Sequence, residues 1–147
     1  MNLADRLNED MKQAMRNGEK FRLQTIRMVR ASIKNQEIEL RRPLDENETL
    51  SVFSRELKQR RDSQADFERG GRDDLVATVK AEIEIISEYL PRQLTEEEIK
   101  AIVVQTMQET GVSSKAELGK LMGALMPKVK GIADGKLVNA IVQQSLQ

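Results

Sequence analysis

Apolar residues recur every three or four positions along almost the whole 147-residue chain, and no segment alternates steadily between apolar and polar residues. The first spacing places apolar side chains on one face of an α-helix, whereas strict alternation is typical of a β-strand. The sequence therefore predicts an all-α protein.

Helix-breaking and capping residues divide this pattern into segments. Proline and glycine end four longer helices, since proline disfavours helix in the residue before it and glycine favours the turn after it. These stops lie at Asn17-Gly18, Arg42-Pro43, Gly70-Gly71 and Pro91. Capping-box spacing or an N-cap aspartate predicts the start of further helices. These starts lie at Asp45–Glu48, Thr95–Glu98, Ser114–Glu117 and Asp134.

The distribution of charge predicts two domains. Every arginine lies in residues 1–92, whereas residues 93–147 hold six lysines, six acidic residues and no arginine. Together with Pro91, this change predicts an N-terminal four-helix unit over 1–92 and a small C-terminal three-helix unit over 93–147, joined near 91–94. The second unit is itself polarised, because residues 118–147 carry four lysines against one aspartate.

The composition excludes most familiar enzyme chemistry. The chain has no histidine and no cysteine, so it lacks a thiol nucleophile, a Ser-His-Asp triad, cysteine-ligated zinc and an HExxH motif. We therefore predict no catalytic residue, no metal site and no cofactor. No apolar run is long enough to span a membrane, and the first residues lack a secretory signal pattern. On that basis we predict a cytoplasmic protein, while its oligomeric state is not predicted.

The most unusual stretch of the sequence is its glycine-rich tail. Gly119 and Gly123 are four residues apart and so lie on the same face of a helix, where each glycine costs roughly 1 kcal/mol relative to alanine. Two explanations are open. Either another helix of the small unit fills the groove, or an outside backbone such as ribose-phosphate approaches there.

Basic residues surround these glycines, and together they form the predicted RNA-binding set. The lysines and the predicted N-terminus of the last helix both suit phosphate, although lysines on a helical protein are also common on a plain solvated face. The complete set is Gly119, Lys120, Gly123, Lys128, Lys130, Gly131 and Lys136.

A second, weaker basic candidate lies on the predicted second helix. Arg27, Arg30 and Lys34 are spaced three and four residues apart and form one stripe beside the apolar face. Arginine suits phosphate, but the equal numbers of acidic and basic residues also favour ordinary salt bridges between helices.

Several stretches of the chain resemble the YqeY family. They include GKLMG at 119–123 and KGIADG at 130–135, together with residues 23–34, 60–63, 71–75 and 89–94. The resemblance implies a relation to the tail of the B subunit of the glutamine-dependent aspartyl/glutamyl-tRNA amidotransferase (GatB), a tRNA-contacting module. It also implies partnership with a tRNA-dependent amidotransferase or a tRNA synthetase, and a family class of carbon–nitrogen ligases that use glutamine as amido donor.

Three functions follow as alternatives. The leading hypothesis is a tRNA-binding helical module that recognises shape and phosphate, since the chain has no aromatic platform for bases. The second is a protein–protein adaptor that docks a partner helix on Met122, Leu125 and Met126. The third, an enzyme of glutamine amide transfer, depends on the family class alone; the chain by itself is not expected to be catalytic.

Overall fold

The computed structural model describes residues 1–146, and its regular structure there is entirely helical, as the spacing of apolar residues predicts. The described residues form seven α-helices and one short 3₁₀ turn. The helices are α1 Leu3–Asn17, α2 Lys20–Leu40, α3 Glu46–Arg69, α4 Asp73–Ser87, α5 Glu96–Thr110, α6 Leu118–Val129 and α7 Gly135–Ser145.

Local capping interactions form most of the helix ends where the sequence predicts them. The side chains of Asp45 and Thr95 each accept a hydrogen bond from a backbone amide three residues later, and both capping boxes are complete. Asp134 accepts from the amide of Lys136 at the start of α7. Gly18 ends α1 in the left-handed conformation. These starts and stops are confirmed.

Two predicted boundaries are wrong. Ser114 does not cap a helix through its side chain, because the amide of Glu117 bonds instead to the backbone carbonyl of Ser114 at 3.1 Å in a 3₁₀ turn. Helix α4 ends at Ser87, before Pro91, because tight turns follow it. Those turns bring Tyr89 and Leu90 into the core, where they are 4% and 8% exposed.

The helices pack into two compact units, one of residues 1–90 and one that begins at Pro91. In the first, α3 packs along α4, and α2 packs against the other three helices. Its core contains Phe53, whose ring stacks on that of Tyr89 with centroids 5.0 Å apart. In the second unit, α5 packs against both α6 and α7. Independent folding of a four-helix and a three-helix domain on either side of residue 92 stays a prediction.

Candidate functional site

The two glycines of α6 lie on a face of the helix that is open to solvent. Leu121 and Leu125 point into the core of the C-terminal unit and are fully buried, whereas Gly119 and Gly123 are exposed. Apart from its chain neighbours and the nearby backbone of α6 itself, a Cβ atom placed on either glycine meets no described atom within 4 Å. No described helix therefore fills the groove, and the first of the two explanations for the glycines is wrong.

The predicted lysines differ in how strongly the fold engages them. Lys120 and Lys130 are exposed, and neither forms an ion pair within residues 1–146. The Nζ atom of Lys128 lies 2.7 Å from Glu109 Oε2 and donates to Thr106 Oγ1 at 3.0 Å. This ammonium group lowers the pKa of Glu109 below its usual value. Lys128 is thus held against α5, with its charge balanced by a carboxylate.

Lys120 and Lys130 are separated along α6. Ten residues of helix correspond to roughly 15 Å at the usual rise per residue. Lys120 lies beside the two exposed glycines, and Lys130 follows the last residue of the helix. The two exposed lysines therefore lie near opposite ends of α6, one beside the glycines and one just after the helix. Such spacing suits an extended polyanion better than a small ligand.

The loop between α6 and α7 is held by residues that sequence reasoning missed. The amide of Leu94 donates to the carbonyl of Ile132 at 2.7 Å, and the side-chain amide of Gln93 donates to the carbonyl of Gly131 at 3.1 Å. Gly131 has φ +80°, in the left-handed region that favours glycine. The sequence shows only a linker at 91–94, and no local signal points to a partner nearly forty residues away.

The N-terminus of α7 uses its own cap. The carboxylate of Asp134 accepts a hydrogen bond from the amide of Lys136 at 3.1 Å, so this amide already has a partner. Gly135 follows Asp134 as the first residue of the helix and is exposed. A phosphate therefore gains less from this helix terminus than from the lysines around α6.

The weaker basic set lies on α2, in the other unit. Arg27 is exposed and forms no ion pair within the described residues. Arg30 is half-buried, with Nη1 3.9 Å from the sulfur of Met11, and Lys34 Nζ lies 3.9 Å from Glu37 Oε1. Only Arg27 of this stripe presents an unengaged cation.

A third group of charged residues is structural. The guanidinium of Arg60 lies 2.5 Å from Glu56 and 2.9 Å from Glu82, and all three side chains are largely buried. Ser32 also donates to Glu56, at 2.6 Å. Arg60 joins α3 to α4 through these carboxylates and is not available to phosphate.

The partner surface named for the adaptor hypothesis is not exposed as a set. Leu125 is fully buried in the core of the C-terminal unit, while Met126 is 40% exposed and Met122 half-buried. Leu125 faces inward because it lies one turn from Leu121 on the apolar side of α6. The prediction that these three residues dock a helix together is therefore wrong.

Two further observations concern metals and membranes. Among residues 1–146, no three acidic side chains are grouped so that they could hold a metal ion. None of the helices in the same range combines the length and apolar character needed to cross a bilayer.

Comparison with known proteins identifies the family. The profile of the Yqey-like protein family matches residues 4–146, so the chain belongs to this family. Among curated proteins, "Altered inheritance of mitochondria protein 41, mitochondrial" of Kluyveromyces lactis is 35% identical over 82% of this chain and 70% of its own length. The Eremothecium gossypii protein of the same name is 35% identical over 84% of this chain and 65% of its own length.

A third relative of this name, from Saccharomyces cerevisiae strain YJM789, is 28% identical over 94% of this chain and 80% of its own length. All three names place these relatives in mitochondria. They contradict the prediction of a cytoplasmic protein. That prediction used the absence of a secretory signal pattern, which does not report on mitochondrial targeting segments, since those are amphipathic and rich in arginine.

Proposed function

We propose that this member of the Yqey-like family is a tRNA-binding helical module that contacts the ribose-phosphate backbone through α6. The contact surface is the glycine face, defined as Gly119, Gly123 and Lys120, together with Lys130 in the following loop. In this proposal the chain binds and positions tRNA but performs no chemistry on it.

The openness of the glycine face carries the proposal. A glycine inside a helix costs roughly 1 kcal/mol relative to alanine. Gly119 and Gly123 bring no compensating contact within residues 1–146, because no atom beyond the local backbone of α6 lies within 4 Å of the position of a Cβ. Their lack of side chains does allow an external backbone to approach the helix closely.

The charges beside this face favour phosphate as the approaching group. Lys120 and Lys130 present ammonium groups that no described carboxylate neutralises. Residues 91–147 include no aromatic side chain, so bases cannot stack on this unit. Recognition through shape and phosphate is the mode that remains, and it is typical of proteins that bind folded RNA.

The resemblance to the GatB tail supports tRNA as the RNA. It also supports partnership with a tRNA-dependent amidotransferase or a tRNA synthetase, whose own domains supply the chemistry. The family class of carbon–nitrogen ligases with glutamine as amido donor then describes the complex in which the module works. The chain alone contains no histidine or cysteine to carry such a reaction.

A salt titration of tRNA binding to the full chain tests this proposal. We expect log K to fall linearly with log[KCl], and the Lys120→Gln, Lys130→Gln double variant to reduce the slope by about 0.7 to 0.9 for each lost phosphate contact. Lys12→Gln, an exposed lysine of the N-terminal unit, serves as the matched control and should leave the slope unchanged. An affinity that does not change with salt, or a double variant with the same salt slope as wild type, would refute the proposed surface.

A further inference from the structure

We propose that the outer face of α2 is a docking surface for an amphipathic helix whose apolar stripe is flanked by acidic side chains. This surface lies in the N-terminal unit and does not depend on the tRNA proposal. It is the α2 strip, which consists of Phe21, Gln24, Met28, Ala31, Asn35 and Ile38.

The α2 strip has the spacing of a helix–helix seam. Its members alternate three and four residues apart, which is the pattern that keeps one line of side chains facing a partner helix. The opposite side of α2 contributes Ile26, Val29 and Ile33 to the core of the unit. Helix α2 therefore carries a second line of side chains, four of the six apolar, besides the apolar line that the fold buries.

The strip leaves large apolar side chains in solvent. Phe21 is 40% exposed, Met28 44% and Ile38 72%. Three of the eight large exposed apolar side chains among the described residues thus lie on one line of one helix. Isolated exposed apolar residues need no explanation, so it is the alignment of these three along one helix that motivates a docking surface.

The charge beside the strip identifies the kind of partner. Lys20, Arg27 and Lys34 follow one flank at intervals of seven residues, in phase with the seam. Lys20 and Arg27 form no ion pair within the described part of the chain, and Lys34 has only a 3.9 Å contact to Glu37. Charges at such flanking positions set partner choice in paired helices. A basic row along one flank is complementary to a helix with Glu or Asp beside its apolar stripe.

The same row disfavours two other occupants. In an antiparallel pair of two copies, Lys20, Arg27 and Lys34 of each chain would face the same row of the other, which like-charge repulsion opposes. RNA is disfavoured as well, because four of the six strip residues are apolar and offer phosphate no hydrogen-bond donor, which leaves only Gln24 and Asn35 to donate.

The length of the strip sets the length of the probe. Phe21 and Ile38 are about 25 Å apart along the helix at the usual rise per residue. The probe is a fluorescent, side-chain-stapled helical peptide of about 18 residues with leucine at the seam positions and glutamate at the flanking positions. Its control carries lysine instead of glutamate. Binding to the full chain is measured by fluorescence anisotropy.

We expect the glutamate peptide to bind roughly tenfold or more tightly than the lysine peptide. The double variant Arg27→Glu, Lys34→Glu should reverse that preference, and Met28→Asp with Ile38→Asp should abolish binding of both. Met15→Asp changes a methionine of α1 that is 54% exposed and lies outside the strip, so it should bind as wild type does. Circular dichroism verifies that each variant is folded.

Three results would overturn the proposal. The first is that neither peptide binds, or that both bind the Met28→Asp, Ile38→Asp variant unchanged. The second is sedimentation equilibrium showing a wild-type dimer that this variant dissociates, since a second copy would then cover the strip. The third is loss of tRNA binding in the same variant, which would make the strip an RNA surface.

Discussion

The backbone amide of Leu94 donates to the carbonyl of Ile132 across 2.7 Å, which joins the segment before α5 to the loop between α6 and α7. Gln93 adds a side-chain bond to the carbonyl of Gly131. The loop that carries Lys130 is therefore held at both its second and third residues by a segment distant in sequence. Such support orders a binding loop before a ligand arrives, which lowers the entropic cost of binding.

This relationship predicts a positioning role for Gln93. We expect Gln93→Ala to speed amide hydrogen exchange in the loop 130–134 and to cost about 0.5 to 1.5 kcal/mol, the usual net contribution of a hydrogen bond. Gln105→Ala is the matched control, because Gln105 bonds only to Glu109 within α5. Equal exchange in the two variants would show that Gln93 does not hold the loop.

The open glycine face predicts opposite effects on stability and binding. Gly123→Ala should raise the free energy of unfolding by up to about 1 kcal/mol, because alanine is the better helix former and its Cβ meets no described atom within 4 Å beyond the local backbone of α6. The same methyl group should weaken tRNA binding, because it obstructs the approach of the ribose-phosphate backbone to α6. Thermal denaturation and the salt titration measure the two effects.

Gly131→Ala provides the contrast, since its φ of +80° suits glycine alone. This change should destabilise the protein by about 1 to 2 kcal/mol. A Gly123→Ala variant that is less stable than wild type would contradict the open environment of the α6 glycines.

Two matched pairs of residues predict the behaviour of the chain in acid. Arg92 clamps Glu98 with contacts of 2.8 and 2.6 Å, and Arg42 clamps Glu48 with contacts of 2.7 and 2.8 Å. The arginine, as the largest cause, and the backbone amide of the capping residue together lower the pKa of each glutamate to about 2.

A depressed carboxyl pKa contributes stability above the unfolded value of about 4.3, and that contribution is lost as the pH falls towards the folded value of about 2. We expect Arg92→Gln to raise the pKa of Glu98 and to leave the pKa of Glu48 unchanged. Arg42→Gln should raise the pKa of Glu48 and leave that of Glu98 unchanged. Carboxyl ¹³C NMR titration reports both. If either variant changed the pKa of both glutamates, a longer-range electrostatic field would determine these pKa values, and not the adjacent arginine.

The buried ion pairs of Arg60 predict the largest loss of stability. Arg60→Leu leaves Glu56 and Glu82 largely buried without their cation and should cost about 3 to 5 kcal/mol. Arg69→Leu breaks an exposed pair with Asp66 and should change stability by less than about 1 kcal/mol. Denaturant titrations that rank the two variants equally would refute the structural role of Arg60.

The division near Pro91 predicts the site of limited proteolysis. Pro91 and Arg92 are exposed, and Arg92 is the last arginine in the chain. We expect brief trypsin treatment to cut first after Arg92, and each fragment to unfold cooperatively on its own. Initial cleavage inside a helix such as α3, or fragments without a thermal transition, would exclude two independently folding domains.

The sequence by itself determined the helical class and most helix ends. Asp45, Thr95 and Asp134 cap helices through bonds to amides two or three residues away, so the relevant partners are visible in the sequence. Ser114 shows the limit of this reasoning, because its carbonyl outcompetes its hydroxyl for the amide of Glu117. Family membership was also readable, since motifs such as GKLMG occur as contiguous residues.

Only the tertiary structure decided which of the predicted site residues are available. From the sequence, Gly123 was as compatible with a filled groove as with an open one. Lys128 could not be distinguished from Lys130 by sequence, because its partner Glu109 lies on a different helix, α5. The support from Gln93 was invisible for the same reason. Exposure and ion pairing depend on which distant segments pack together, and the spacing of residues along one helix does not contain that information.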